Sequence, residues 1–276
     1  MIDAVNRLDE AADALAASLG LARDVLAVAE TMDAQPLLRR SLSEPNIPPA
    51  QHHHLVESLF GQVLSPEAVG LVEKATDQNW PNGRLMAGAI RDAASRIAWW
   101  AAISNDVVEI ARQQLFSLII LVDRDPALAT SLGDVSRELA DRRALVGALT
   151  EKAEAVAGFL AQAATSDTRA DFTANLSRQL DILAELRGHR RAIVTTAVPM
   201  TPQQRVALKT QLVRLYDSPV DLEAVVDPRV VGGVRVDVGG DVIDGSYKAR
   251  LDAAREAMAT ITVEADETAS EDGRDA

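Results

Sequence analysis

Apolar residues recur at helical spacing through the first two-thirds of the chain. Leu15 and Leu19, then Leu21, Val25 and Val28, fall three or four positions apart. Pro36, Pro45, Pro48-Pro49, Pro66 and Pro81 punctuate this region, each suited to a helix start or the turn before one. Ser65 before Pro66-Glu67-Ala68 reads as an N-cap followed by proline at the first helical position. The pattern predicts about six short helices, the sixth beginning near Asn82-Gly83. From Arg84 no proline occurs until Pro126, and only Gly88 interrupts. A continuous helix there would run on the order of 60 Å at about 1.5 Å per residue. A break at Ser104-Asn105-Asp106 is equally allowed, because Asn and Asp favour caps.

The helical pattern then repeats. Ninety positions separate Met32-Asp33 from Val122-Asp123, Pro36 from Pro126, and Leu38 from Leu128. The same spacing joins Ser41-Leu42 to Ser131-Leu132, Leu55-Val56 to Leu145-Val146, and Leu59 to Leu149. Further on it shortens. Glu67-Ala68-Val69 aligns with Glu154-Ala155-Val156 at eighty-seven, and Met86, Ile90, Ala94 and Ile97 with Phe172, Leu176, Leu180 and Leu183 at eighty-six. Any two Ala/Leu-rich bundles slide into partial register, but the identical Ser-Leu and Leu-Val pairs favour duplication. The expected division is a bundle over 1–105 and a second over 106–190, joined by a long helix. In the second, Arg137-Glu138-Leu139 replaces the Pro48-Pro49 region.

At Arg191 the period changes. Ala192 to Val198 is β-branched and bounded by Pro199 and Pro202, which reads as a strand. Thr201-Pro202-Gln203-Gln204 opens a helix with apolar residues Val206, Leu208, Leu212, Val213 and Leu215. Val220 to Val226 alternates, with Leu222, Ala224 and Val226 on one face, and Val230 to Val238 alternates again. Gly239-Gly240 supplies the positive φ angles of a tight hairpin, returning through Val242 and Ile243. Asp244-Gly245-Ser246 caps a last helix with apolar face Leu251, Ala254, Met258 and Ile261. The fold class is therefore mainly α, with a duplicated helical bundle followed by a small strand-helix-strand-hairpin-helix α/β module over 191–262.

Composition narrows the function classes. Hydrophobic residues make up 47% of the 276 and aromatics only 3%, so Ala and Leu carry the cores, a bias toward helix. No apolar run approaches the roughly 20 residues of a membrane span, so no direct membrane insertion is expected. The start, Met1-Ile2-Asp3-Ala4-Val5-Asn6, lacks the basic and apolar stretches of a signal peptide, which predicts a cytoplasmic location. The absence of cysteine excludes disulfides and thiolate metal sites. A net charge of −13 opposes nucleic-acid binding and is repelled by anionic lipid. A place near a membrane must then be held through other proteins. The acidic tail over 263–276 reads as solvated and disordered.

Candidate chemistry is sparse. Gly232-Gly233 and Gly239-Gly240 both lie between β-like segments, whereas a phosphate loop runs from a strand into a helix N-terminus. They read as close backbone approach and as a turn. His52-His53-His54 on a helix point about 100° apart and cannot converge on one metal ion, so a solvated face is expected. Arg187-Gly188-His189-Arg190-Arg191 is a basic cluster at a helix end, where it complements the dipole. Trp80, Trp99 and Trp100 read as core or interface anchors, and Trp99 and Trp100 cannot face the same way on a helix. No catalytic, cofactor-binding or metal-ligating residue is expected.

Several special residues fall in order near the C-terminus. Ala197-Val198-Pro199-Met200-Thr201 is followed by Asp227-Pro228, Gly232-Gly233-Val234, Gly239, and Asp244-Gly245-Ser246 with Leu251. This series resembles the signature of the delta-type, OSCP-like stalk subunits of the F-type ATP synthase. Leu42-Ser43-Glu44-Pro45, Leu55, Leu59-Phe60 and Gly83-Arg84-Leu85 resemble the helical-domain landmarks of that family. The aromatic start of the family's first helix is absent near Leu8 to Leu15. The bundle over 106–190 stands where shorter members have none, as in the lengthened form of high-GC Gram-positive bacteria. The resemblance implies a non-catalytic peripheral-stalk subunit. Its helical domain would bind the N-terminal helices of the alpha subunits, and its C-terminal module the C-terminus of the b-type stalk subunit. It would sit at the cytoplasmic face of the cell membrane, held through the synthase, and keep the catalytic head from rotating. The alternative is a free helical scaffold or adaptor for amphipathic helices.

Overall fold

The computed structural model describes residues 2–134, 136–230 and 232–245. The chain divides after Leu186 into two compact units. The first is all helix: α1 (Ile2–Asp13), α2 (Leu19–Ala34), α3 (Pro36–Ser43), α4 (Pro49–Phe60), α5 (Pro66–Thr76), α6 (Gly83–Ser104), α7 (Val108–Arg124), α8 (Pro126–Gly133), α9 (Leu139–Leu149), α10 (Ala155–Ser166) and α11 (Phe172–Leu186). Six helices thus occupy the first 104 residues, the sixth starting at Gly83 as the pattern predicts. The long helix is not continuous. It breaks after Ser104, where Asp106 adopts a left-handed φ of 57° before α7 starts.

Local signals set the helix starts. The Ser18 hydroxyl accepts from the Leu21 amide, and the Asn82 side chain from the Leu85 amide. Proline occupies the first turn of α3, α4, α5 and α8, where its missing N–H costs nothing. Ser65 differs from expectation. It stands at the N-cap position of α5 without capping it, and its hydroxyl instead donates to Asp24 Oδ2 on α2 at 2.7 Å.

α6 is the axis of this unit. It is buried on nearly every side, because α1, α2, α3 and α5 pack on it from one half and α10 and α11 from the other. One apolar core runs through both halves, with Leu8, Met32, Leu42 and Val56 continuous with Leu115, Leu132, Val146 and Leu160. After α4, two helix starts in the first half stand eighty-nine positions before two in the second. The N-cap positions Ser65 and Glu154 are one such pair, and Asn82 and Asp171, whose side chain accepts from the Ala174 amide, are the other. Those separations differ from the spacings of eighty-seven and eighty-six suggested by the side-chain pattern. A shift of three residues, from eighty-six to eighty-nine, is nearly one helical turn and keeps the same face inward, whereas a shift of two, from eighty-seven, does not.

The second unit contains β1 (Arg190–Thr196), α12 (Pro202–Tyr216), β2 (Val220–Val226), β3 (Val234–Val238) and β4 (Asp241–Asp244). The sheet order is β2-β1-β3-β4. β1 and β2 are parallel, joined through α12, and the remaining pairs are antiparallel. α12 starts with a full capping box between Thr201 and Gln204. Its inward residues are fewer than expected: Leu212 is buried and Leu208 and Val213 are partly buried, while Val206 and Leu215 are exposed. The core under it is Ala192, Val194, Val220, Leu222, Val236 and Val238. The proposed last helix, with Ser246 and Leu251, and the acidic tail lie outside the described residues.

Candidate functional site

The signature segment between β2 and the end of β4 is a set of turns. The Asp227 amide donates to the Thr196 carbonyl at 2.9 Å, tying the end of β2 to the end of β1. Its carboxylate takes two hydrogen bonds from the Arg229 Nε, a third from Nη2 and a fourth from the Arg229 amide, which hold its pKa below the usual carboxylate range. Pro228 occupies the turn closed by the Val230 amide on the Asp227 carbonyl. Gly232 and Gly233 have φ of 75° and 82°, and Gly239 and Gly240 have 61° and 91°. Two consecutive positive φ values between Val238 and Asp241, which pair across the hairpin, form the two-residue loop that suits the strand twist. Asp244 stands opposite Arg235, and the Gly245 amide donates to the Val234 carbonyl. The structure thus brings Asp227, Pro228, Gly232, Gly233, Gly239 and Asp244 together as the shaping residues of one hairpin and its approach.

The basic cluster from Arg187 to Arg191, which runs into the start of β1, serves the sheet. Arg191 Nε donates to Glu223 Oε2 at 2.7 Å, and both side chains are buried. His189 Nδ1 lies 3.0 Å from Asp221, and Arg187 lies 3.7 Å from it. These carboxylates occupy the face of β2 opposite Leu222, so β1 and β2 are joined by charge on one side and apolar packing on the other. Arg190 stacks 5.2 Å over the Tyr216 ring. The Tyr216 hydroxyl donates to Asp241, linking α12 to β4 and raising the pKa of the phenol.

The helical unit carries a polar seam between its halves. Arg91, almost wholly buried, donates to Asp33 at 2.6 Å and lies 4.0 Å from Asp167. Its neighbour Asp92 accepts from both Arg169 and Arg178 at 2.7 Å. Asp167 also holds Arg169, whose hydrogen bonds keep the Asp167 carboxyl below its ordinary range against the opposing cost of burial. Gly88 makes room for this, since a Cβ there would meet Arg169 Nη1 at 2.7 Å. Trp99 is fully buried and donates to the Gln179 carbonyl at 2.8 Å, whereas half-buried Trp100 donates to Asp13. Arg143 of α9 pairs with Glu30 of α2. Sequence reading missed this seam. Its only local signal is Arg91-Asp92, a charged pair inside an Ala-rich helix.

His52 also departs from expectation. It is buried, with Nε2 3.1 Å from the Ser41 carbonyl, while His53 faces Asp77 at 2.9 Å. Among the described residues no group of three His, Asp or Glu side chains is placed to hold a metal ion, and no helix is long and apolar enough to cross a membrane.

One carboxylate in the seam is costly in its charged form. Burial raises the Asp9 pKa to about 6, against the attraction of Arg96 and with Asp92, Asp13 and Glu185 adding repulsion. The folded value lies above the unfolded one, so the folded state binds the extra proton, and this group's contribution to stability is lost as pH rises through 6. Asp9→Asn is expected to melt higher than the parent at pH 7 to 8, with the difference vanishing as pH falls toward 4. Thermal melts across that range measure it.

Comparison with known proteins places the chain. The family model described as "ATP synthase delta (OSCP) subunit" matches residues 98–258. The "ATP synthase subunit delta" of Cutibacterium acnes is 31% identical over 258 residues, covering 92% of this chain and 97% of that protein. That of Streptomyces avermitilis is 31% identical over 257 residues, covering 92% and 94%. That of Kineococcus radiotolerans is 32% identical over 242 residues, covering 86% of each. A chain in a cryo-EM structure of the Toxoplasma gondii mitochondrial ATP synthase hexamer aligns with a TM-score of 0.35 at 11% identity, covering 61% of this chain and 96% of that one, too low a score to carry an argument. The interval matched by the family model takes in residues 106–190 and leaves most of the first half outside it, while the two relatives that cover 92% of the chain extend into that half. The chain belongs to the ATP synthase delta (OSCP) subunit family.

Proposed function

We propose that this chain, a peripheral-stalk subunit of the F-type ATP synthase by family, works as a passive connector without an active site of its own. Its helical unit binds the amphipathic N-terminal helices of the alpha subunits. Its α/β module binds the C-terminus of the b-type stalk, and the assembly lies at the cytoplasmic face of the membrane. The observation that carries this reading is where the charged chemistry goes. Arg91, Asp92, Asp167 and Arg169 are engaged with one another between helices, and Arg191 with Glu223 between strands, an arrangement that stiffens a strut. Tagged full-length chain is expected to co-purify with alpha and b subunits from solubilised membranes. Recovery with stable partners outside the synthase would favour the free-scaffold reading.

We also propose that the helical unit is a duplication, with bundles over 1–105 and 106–190. A recurring contact supports this. Asp24 of α2 accepts the Ser65 amide before α5, and ninety positions later Gln114 of α7 accepts the Glu154 amide before α10.

A further inference from the structure

The two helical-domain landmarks around Pro45 and Gly83 meet in the structure. Glu44-Pro45, just after α3, and Gly83-Arg84, at the start of α6, line one open cleft of about 610 Å³ with Arg39 and Arg40. Gly83 permits the approach, because a Cβ there would meet Arg39 Cγ at 2.7 Å and the Arg39 carbonyl at 2.9 Å. The close packing of α3 on α6 brings three guanidinium groups to the same cleft. Arg39 is partly buried and donates to the Met32 carbonyl at 3.2 Å. It lies 3.7 Å from Asp33, but Asp33 is already held by Arg91 at 2.6 Å. Arg40 and Arg84 are exposed, and neither side chain has an ion-pair partner among the described residues. Glu44 is the one carboxylate lining the cleft among the described residues, and it accepts from the Asn46 side-chain amide at 3.2 Å.

This placement runs against the charge of the chain. The sequence has 28 basic and 41 acidic residues, yet the cleft gathers Arg39, Arg40 and Arg84 around a single Glu44. Elsewhere in the same unit Arg91, Arg96, Arg169 and Arg178 each face a carboxylate. Arg84 also stands in the first turn of α6, which has no acidic residue and where the helix dipole opposes a positive charge. Cations held together without counter-charge repel one another and set up a field that an anion relieves. We propose that this cleft binds the phosphate groups of a small soluble polyanion, of the class of pyrophosphate or a nucleoside polyphosphate. Guanidinium forks match pairs of phosphate oxygens. The volume suits a small molecule, and Pro45, Trp80 and Pro81 supply an apolar wall beside the charges. Anionic lipid carries the same group, but a chain of net charge −13 is repelled by such a surface, which favours the soluble source.

The test is equilibrium binding of pyrophosphate, ADP and adenosine to the full-length chain at about 0.15 M salt. Pyrophosphate and ADP are expected to bind, and adenosine, which carries no phosphate, is not. Arg40→Ala and Arg84→Ala alter exposed positions, so the thermal melt should not move. Each is expected to weaken binding roughly tenfold, the loss of one charge-assisted contact. Arg23→Ala, at an exposed arginine of α2 outside the cleft, should keep parental affinity. Failure of both phosphate compounds to bind, or parental affinity in both cleft variants, overturns the site. Co-sedimentation with phosphatidylglycerol vesicles that needs Arg40 and Arg84, without binding of either soluble compound, overturns the soluble source.

Discussion

Trp99→Ala is expected to destabilise the helical unit by roughly 3–5 kcal/mol, the cost of emptying a fully enclosed aromatic site. Trp99 has no exposed surface, and its indole N–H donates to the Gln179 carbonyl on α11. Deleting it opens a cavity on the axis where both halves meet and leaves a buried carbonyl without that donor. Because one apolar core runs through α1 to α11, the loss should appear as a shift of the whole unit's urea transition and not as the melting of one half. Trp100→Ala is the comparison. That side chain is half-buried and bonded to Asp13 near the surface, and its removal is expected to cost about 1–2 kcal/mol. Equal losses for the two would contradict the placement of Trp99 at the shared core.

Features set by neighbouring residues were legible in the sequence. The Thr201–Gln204 capping box, the Gly239-Gly240 hairpin and the bounds of β2 from Val220 to Val226 all rest on spacing within a few residues. The family signature was legible for the same reason, since its glycines mark φ values that the chain itself must adopt. What escaped was set by partners far along the chain. His52 reads as one of three solvated histidines, yet it is buried with its ring nitrogen against the Ser41 carbonyl of another helix. Arg187 to Arg191 reads as a helix-end cluster, yet its partners are the carboxylates of β2, some thirty residues on. Asp92 shows no sign of the two arginines that enclose it from α11 and the turn before it. The exposed Val206 and Leu215 of α12 show the opposite error, in which periodicity assigns more residues inward than one sheet face can cover.

The second large effect concerns the α/β module. If the chain joins head to stalk, each unit holds one of the two partners, and losing either should release the head completely. The module has its own apolar core around Val194, Leu222 and Val236, separate from that of the helical unit, so a chain lacking it should keep the helical fold. ATP hydrolysis by the head needs no stalk, but coupling does, because an untethered head turns with the shaft. The decisive measurement is ATP-driven proton pumping in membrane vesicles stripped of this subunit and then given back either the full chain or a chain lacking residues 191–262. The full chain is expected to restore pumping and the shortened chain to leave it at background while hydrolysis continues. Full pumping with the shortened chain would contradict the connector role assigned to the module.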